Sequence, residues 1–134
     1  MSEAKVKQSL ANLDKALKSL GELVQKQNGE DYIVDATIQR FEYTYELLWK
    51  TLKRCLQYEG ISSQTPKETL KKAFAIHWLK DEAVWLDMHS DRNLTTHVYN
   101  EKDVEKIYLR IKNIYYSEIL ATYELLLNRY KDLI

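Results

Sequence analysis

Turn-forming residues are scarce in this chain: 134 residues carry three glycines and one proline. A sheet protein punctuated by tight turns needs many more. Charge of one sign is also lacking, because 20 Lys and Arg balance 20 Asp and Glu. Nothing therefore favours a protein held on nucleic acid by bulk electrostatics, although local contact with RNA stays open. A lone cysteine, Cys55, excludes an intrachain disulfide and reads as a small buried hydrophobe in an apolar stripe. No apolar run reaches the length of a spanning helix, and none follows the first charges in the manner of a signal peptide. The expectation is a cytoplasmic protein with no membrane association. What is present, 45% apolar and 30% charged residues, suits one folded domain over residues 1–134.

The apolar residues recur at helical spacing. Val6, Leu10, Leu13, Leu17, Leu20 and Val24 predict a first helix from about Ala4 to Gln27, with Gly21 inside it and Asn28-Gly29 as its stop. Val34, Ile38, Phe41, Tyr45, Leu48, Leu52 and Cys55 predict a second, from Tyr32 to about Tyr58, widened by Trp49 and Leu56. Arg40, Glu42 and Glu46 flank its stripe, and an ion pair is the structural reading of Arg40. After a linker at Gly60-Ile61-Ser62-Ser63-Gln64, Thr65-Pro66-Lys67-Glu68 has the form of a capping box with proline at the first helical position. Leu70, Ala73, Phe74 and His77 make that third helix, His77 reading as a packed or surface residue.

Asp81 caps a fourth helix whose stripe is Val84, Trp85 and Met88. Val104, Ile107, Tyr108, Ile111, Ile114 and Tyr115 give the core face of a last helix beginning after Asn100. Its later part, residues 119–127, is apolar around most of its circumference, and that surplus predicts subunit contact there. The sum is an all-α protein: an antiparallel four-helix bundle with an additional short helix.

One segment stands out, Arg92-Asn93-Leu94-Thr95-Thr96-His97-Val98-Tyr99. Continuing the stripe of the fourth helix by four and three reaches Arg92 and Thr95. Arg92 then occupies a position where an apolar side chain is called for, and an unpaired buried guanidinium is costly. Either a structural ion pair or a functional cleft must accommodate it. On an ideal helix His89, Asn93 and His97 line one side, and Arg92, Thr96 and Tyr99 another. Arg92 and His97, five apart, diverge by roughly 140°, so they can serve one phosphate only if the helix ends or bends near Thr95 to His97, or if a second subunit completes the site. Given convergence, the residue types suit phosphodiester chemistry. Histidine can remove or deliver a proton near neutrality, and arginine can bind two phosphoryl oxygens. Asn93 can orient a ligand and Tyr99 can stack a base. No metal site is expected. His89 and His97 stand about 12 Å apart along a helix, and neither paired cysteines nor His-Glu-x-x-His occurs.

Two blocks, Arg40-Phe41-Glu42-Tyr43-Thr44-Tyr45-Glu46-Leu47-Leu48-Trp49-Lys50 and Arg92 through Tyr99, resemble the bacterial nucleotidyltransferase substrate-binding proteins of the HEPN superfamily. The resemblance implies a homodimer similar to the helical domain of kanamycin nucleotidyltransferase. It also implies a minimal nucleotidyltransferase, encoded nearby, that supplies the Gly-Ser and aspartate motif absent here. Two roles follow from the family. In one, the helical subunit binds the substrate for nucleotidyl transfer. In the other, it is the toxin of a toxin–antitoxin pair, a metal-independent ribonuclease that needs no cofactor and is silenced when its partner transfers AMP to a tyrosine. The family motif of Arg, four residues, His, one residue and Tyr maps onto Arg92, His97 and Tyr99. The resemblance thus implies Arg92 and His97 as catalytic residues acting on RNA, and Asn93, Thr96 and Tyr99 as substrate-binding residues. Tyr99 would also be the AMP acceptor. Against these stands a non-catalytic substrate-binding or structural dimerisation subunit with Arg92 neutralised by an ion pair.

Overall fold

The computed structural model describes residues 2–26, 30–97 and 100–133. Among them every regular element is helical: α1 (Ser2–Val24), α2 (Asp31–Tyr58), α3 (Pro66–Ala75), α4 (Glu82–Leu94), α5 (Glu101–Arg110) and α6 (Tyr116–Arg129). A π-helical turn, Ile111–Tyr115, joins α5 to α6 without a break, so the two form one rod. The predicted stop at Asn28-Gly29 lies outside the described residues; the helix before it ends at Val24.

α1 and α2 make the most extensive pairing, α6 packs on α1, and α5 packs on α2. α3 lies across α2 and carries α4. One core runs through them all. It takes Val6, Leu10, Leu13, Leu17 and Leu20 from α1, and Phe41, Tyr45, Leu48, Leu52, Cys55 and Leu56 from α2. Trp85 and Met88 of α4 close one end, and Ile111, Tyr115, Ile119 and Leu126 line the long rod. Burial of the Cys55 thiol raises its pKa to about 12, which keeps it inert.

The start of α2 departs from the predicted stripe. Ile33 and Thr37 are buried there, whereas Val34 and Ile38 are only half-buried. A column of threonines explains how a polar residue can serve. Thr37, Thr44 and Thr51, seven apart, are all buried. Each hydroxyl donates to the carbonyl one turn back, of Ile33, Arg40 and Leu47, at 2.7, 2.6 and 2.6 Å. Their hydroxyls are thereby satisfied inside the helix, and the methyls are left to pack. Arg40, predicted in an ion pair, instead donates to Ser19 Oγ on α1.

The helix ends follow the sequence closely. At the close of α2, Gly60 takes φ 85°, and its N–H and that of Ile61 bond back to Gln57 and Leu56 at 3.0 and 2.9 Å. This is a Schellman cap with glycine in its left-handed position. α3 ends in the same way without a glycine: His77 holds φ 66°, and Trp78 N–H returns to Ala73. Thr65 caps α3 through Glu68 N–H, while the Glu68 carboxylate accepts from Gln64 N–H at 2.6 Å. That is one residue earlier than the ideal box. Asp81 caps α4 through Val84 N–H.

Gly21 has a packing reason: a methyl group there would lie 2.6 Å from the Tyr116 hydroxyl oxygen. One expectation for the last helix fails. Ile114 is exposed rather than core, because a π turn holds more residues than an α turn and carries Ile114 off the inward face. In the surplus at 119–127, Leu120, Leu125 and Leu127 are partly buried against the core; among the described residues the exposed large apolar side chains are Tyr32, Tyr43, Leu94, Leu109 and Ile114.

Candidate functional site

The last two turns of α4 gather most of the unusual chemistry. Met88 is fully buried, and the next inward position is Asp91, only 4% exposed. The stripe therefore steps from Met88 to Asp91, not to Arg92 as the spacing of four predicts. Arg110 Nη1 donates to both Asp91 oxygens at 2.9 and 2.8 Å, and the Tyr115 hydroxyl donates to Oδ2. The buried carboxylate thus has a cation and a phenol, each supplied where α5 passes into the π turn. Burial and the Asp91 hydrogen bond push the Tyr115 phenol up, so it stays a donor. This cluster was missed in the sequence, although Asp91 sits three residues after Met88, at a helical step.

Arg92 lies at the rim, its side chain 21% exposed. Nη2 meets Glu46 Oε1 of α2 at 3.2 Å, while Nε is buried without a partner among the described residues. The guanidinium is held at one end by a single carboxylate and is not enclosed. Glu46 is shared, since its Oε2 accepts from Trp49 Nε1 at 3.2 Å and lies 3.9 Å from Lys50. One residue earlier on α2, the Tyr45 hydroxyl lies 2.7 Å from His89 Nδ1. On the far side of that ring, Nε2 lies 3.4 Å from Nδ2 of the Asn93 side-chain amide. Tyr45 and Glu46, neighbours on α2, thus face His89 and Arg92 on α4. Burial, then the charges of Lys67 and Arg92, lower the His89 pKa.

α4 ends at Leu94, and its open carbonyls find local donors. Thr95 Oγ1 donates to Arg92 O at 2.7 Å, Thr96 Oγ1 to Asn93 O at 2.8 Å, and His97 N–H to Leu94 O at 2.9 Å. The helix thus ends at Leu94, just before the stretch from Thr95 to His97. Asn93, Thr96 and His97 are exposed. Tyr99 lies outside the described residues. Among the described residues no group of three or more His, Cys, Asp or Glu could hold a metal ion, and no helix is long and apolar enough to cross a membrane. A larger cleft, of about 260 Å³, opens elsewhere beside Tyr58, Glu59, Arg129 and Tyr130. There Arg129 pairs with Glu59 at 3.1 Å and lies over the Trp78 and Tyr130 rings.

Residues 8–128 match the family described as nucleotidyltransferase substrate binding protein like. The chain belongs to this family. Membership in this nucleotidyltransferase substrate-binding, HEPN-type family accords with the two sequence blocks, which the fold brings together as α2 and the end of α4. Among relatives, the chain is similar to the probable ribonuclease HepT of Haemophilus influenzae, 30% identical over 87 residues. That match spans 61% of this chain and 60% of the relative. A crystal structure of a Thermus thermophilus protein superposes with a TM-score of 0.75 at 34% identity, over 89% of this chain and 98% of that one. A Haemophilus influenzae structure, reported to reveal the fold of a substrate binding domain of a nucleotidyltransferase, superposes with a TM-score of 0.75 at 27% identity. It covers 87% of this chain and 98% of that one.

Proposed function

We propose that this family member is the helical partner of a separately encoded minimal nucleotidyltransferase, and a metal-independent ribonuclease that the partner silences. The observation that carries the reading is the setting of Arg92: a guanidinium at the rim of the fold, held by one carboxylate, on the turn where α4 stops and the chain turns to the exposed His97. In this reading Arg92 binds the phosphoryl oxygens of an RNA phosphodiester and offsets the charge they gain in the transition state. His97 exchanges a proton with the attacking or leaving oxygen. Asn93 and Thr96 contact the substrate beside them. Tyr99 accepts AMP when its hydroxyl attacks the α-phosphorus of ATP and pyrophosphate leaves. The relative's name, probable ribonuclease, supports the activity.

The same reading makes residues 1–134 one domain, a four-helix bundle related to the helical domain of kanamycin nucleotidyltransferase and acting in the cytoplasm as a homodimer. The exposed Leu94, beside the site, and Leu109 and Ile114 on the rod supply apolar surface for the second copy. A non-catalytic substrate-binding subunit is the second reading, favoured by the Arg92–Glu46 ion pair. Expression with and without the neighbouring nucleotidyltransferase separates the two. RNA cleavage and growth arrest are expected from the chain alone, and both should disappear in Arg92→Ala and His97→Ala. Cleavage that survives both substitutions overturns the site. An intact mass without an added AMP after incubation with the partner and ATP overturns the role of Tyr99.

A further inference from the structure

We propose that His89 is a positioning residue: through Tyr45 it fixes the side-chain amide of Asn93 with its oxygen toward the ring and its NH2 outward, on the same turn of α4 as Arg92. The site then offers the Asn93 NH2 as a donor in addition to the Arg92 guanidinium, and selects an oxygen-rich ligand, the phosphodiester of RNA. This rests on the reading of Arg92 as a phosphate-binding residue, but its structural half does not.

The protons along three side chains fix one another in turn. Tyr45 is 1% exposed, and the bond to His89 Nδ1, at 2.7 Å, is the hydrogen bond of its hydroxyl among the described residues. Burial pushes its phenol far up, so the hydroxyl keeps its proton and must place it somewhere. The ring nitrogen facing it is Nδ1, which therefore accepts. A neutral imidazole that accepts at Nδ1 carries its hydrogen on Nε2. The atom placed 3.4 Å from Nε2 is Nδ2 of the Asn93 amide, but only the carbonyl oxygen of that amide can accept from Nε2–H, so the amide must be turned over. Amide oxygen and nitrogen are assigned from such networks, since their shapes are nearly the same. With the oxygen turned to His89, the Asn93 NH2 faces away from the ring, on an exposed residue next in sequence to Arg92.

The opposite arrangement fails on the same count. If Asn93 donated to Nε2, the ring hydrogen would sit on Nδ1 and point at the Tyr45 oxygen. The phenol hydrogen would then be buried with no acceptor. A doubly protonated ring fails likewise and adds a cation near Lys67 and Arg92, both of which oppose it.

Two measurements on the intact 134-residue chain test this. Long-range nitrogen–proton NMR correlations of the imidazole rings, above the His89 titration, are expected to show the Nε2–H form for His89. In Tyr45→Phe the two neutral forms should mix. A His89 ring that carries its hydrogen on Nδ1 in the unmodified chain overturns the proposal, whatever becomes of the ribonuclease. The second measurement is binding of a non-cleavable 2′-O-methyl oligouridine. About a tenfold loss is expected in Tyr45→Phe and in Asn93→Asp, with Asn93→Gln recovering part of it, while far-UV circular dichroism stays unchanged. Unaltered binding in Tyr45→Phe and Asn93→Asp, with Arg92→Ala abolishing it, overturns the positioning role alone. Unaltered binding in Arg92→Ala overturns the phosphate reading, and the NMR result still decides the His89 form.

Discussion

Replacing Asp91 by alanine strips the Tyr115 hydroxyl and one face of Arg110 of their partners at once. Breaking a buried ion pair is strongly destabilising, but Arg110 is 43% exposed and water can take over there. A loss of about 2 kcal/mol is expected, read from urea unfolding. His89 gives stability a pH dependence of known sign. Its folded pKa lies below the ordinary value of 6.5, so the unfolded chain takes up a proton first. The contribution is therefore fully present above about pH 6.5 and declines as pH falls toward the folded pKa. His89→Gln should flatten that decline in unfolding curves measured across the range. Sequence spacing located these residues only partly. The steps of three and four were both open after Met88, and the chain took three, burying Asp91 and leaving Arg92 at the rim. Which step wins depends on a cation arriving from Arg110, nineteen residues on, and no local pattern carries that.

At the scale of the element, the caps were the most legible part of the fold, because a cap is a local agreement between a few neighbouring residues. Thr65, Pro66 and Asp81 stand where their chemistry predicts. His77 is the exception, a left-handed residue with a Cβ in a Schellman cap. Its side chain is exposed, so His77→Gly relieves backbone strain and removes little packing. A gain of about 1 kcal/mol is expected, seen as a higher midpoint in thermal unfolding. An unchanged or lower midpoint would mean that the histidine ring is held by contacts worth as much as the strain. The start of α2 was less legible, since buried threonines look polar in a sequence. Only their bonds to the preceding turn make them acceptable inside.

For the whole molecule, the two sequence blocks meet through Glu46 and Arg92, with Tyr45 on His89 beside them, a pairing that the sequence held in two pieces more than forty residues apart. If the proposed homodimer forms through Leu94 and Leu109, light scattering should give twice the chain mass. Leu94→Glu with Leu109→Glu should halve it while helicity is kept. A double variant that remains a dimer would move the interface elsewhere. The π turn at Ile111–Tyr115 has a consequence for how this architecture can change. The rod works as two segments set out of phase in sequence, the first serving Asp91 through Arg110 and the second reaching α1. Deleting a single residue such as the exposed Asn113 would remove the extra residue that the π turn absorbs, giving an ordinary hydrogen-bond ladder with the buried faces on either side still aligned. The rod should therefore accept the loss of one residue within 111–115, whereas the same deletion in the α-helical stretch on either side would turn everything beyond it by about 100°.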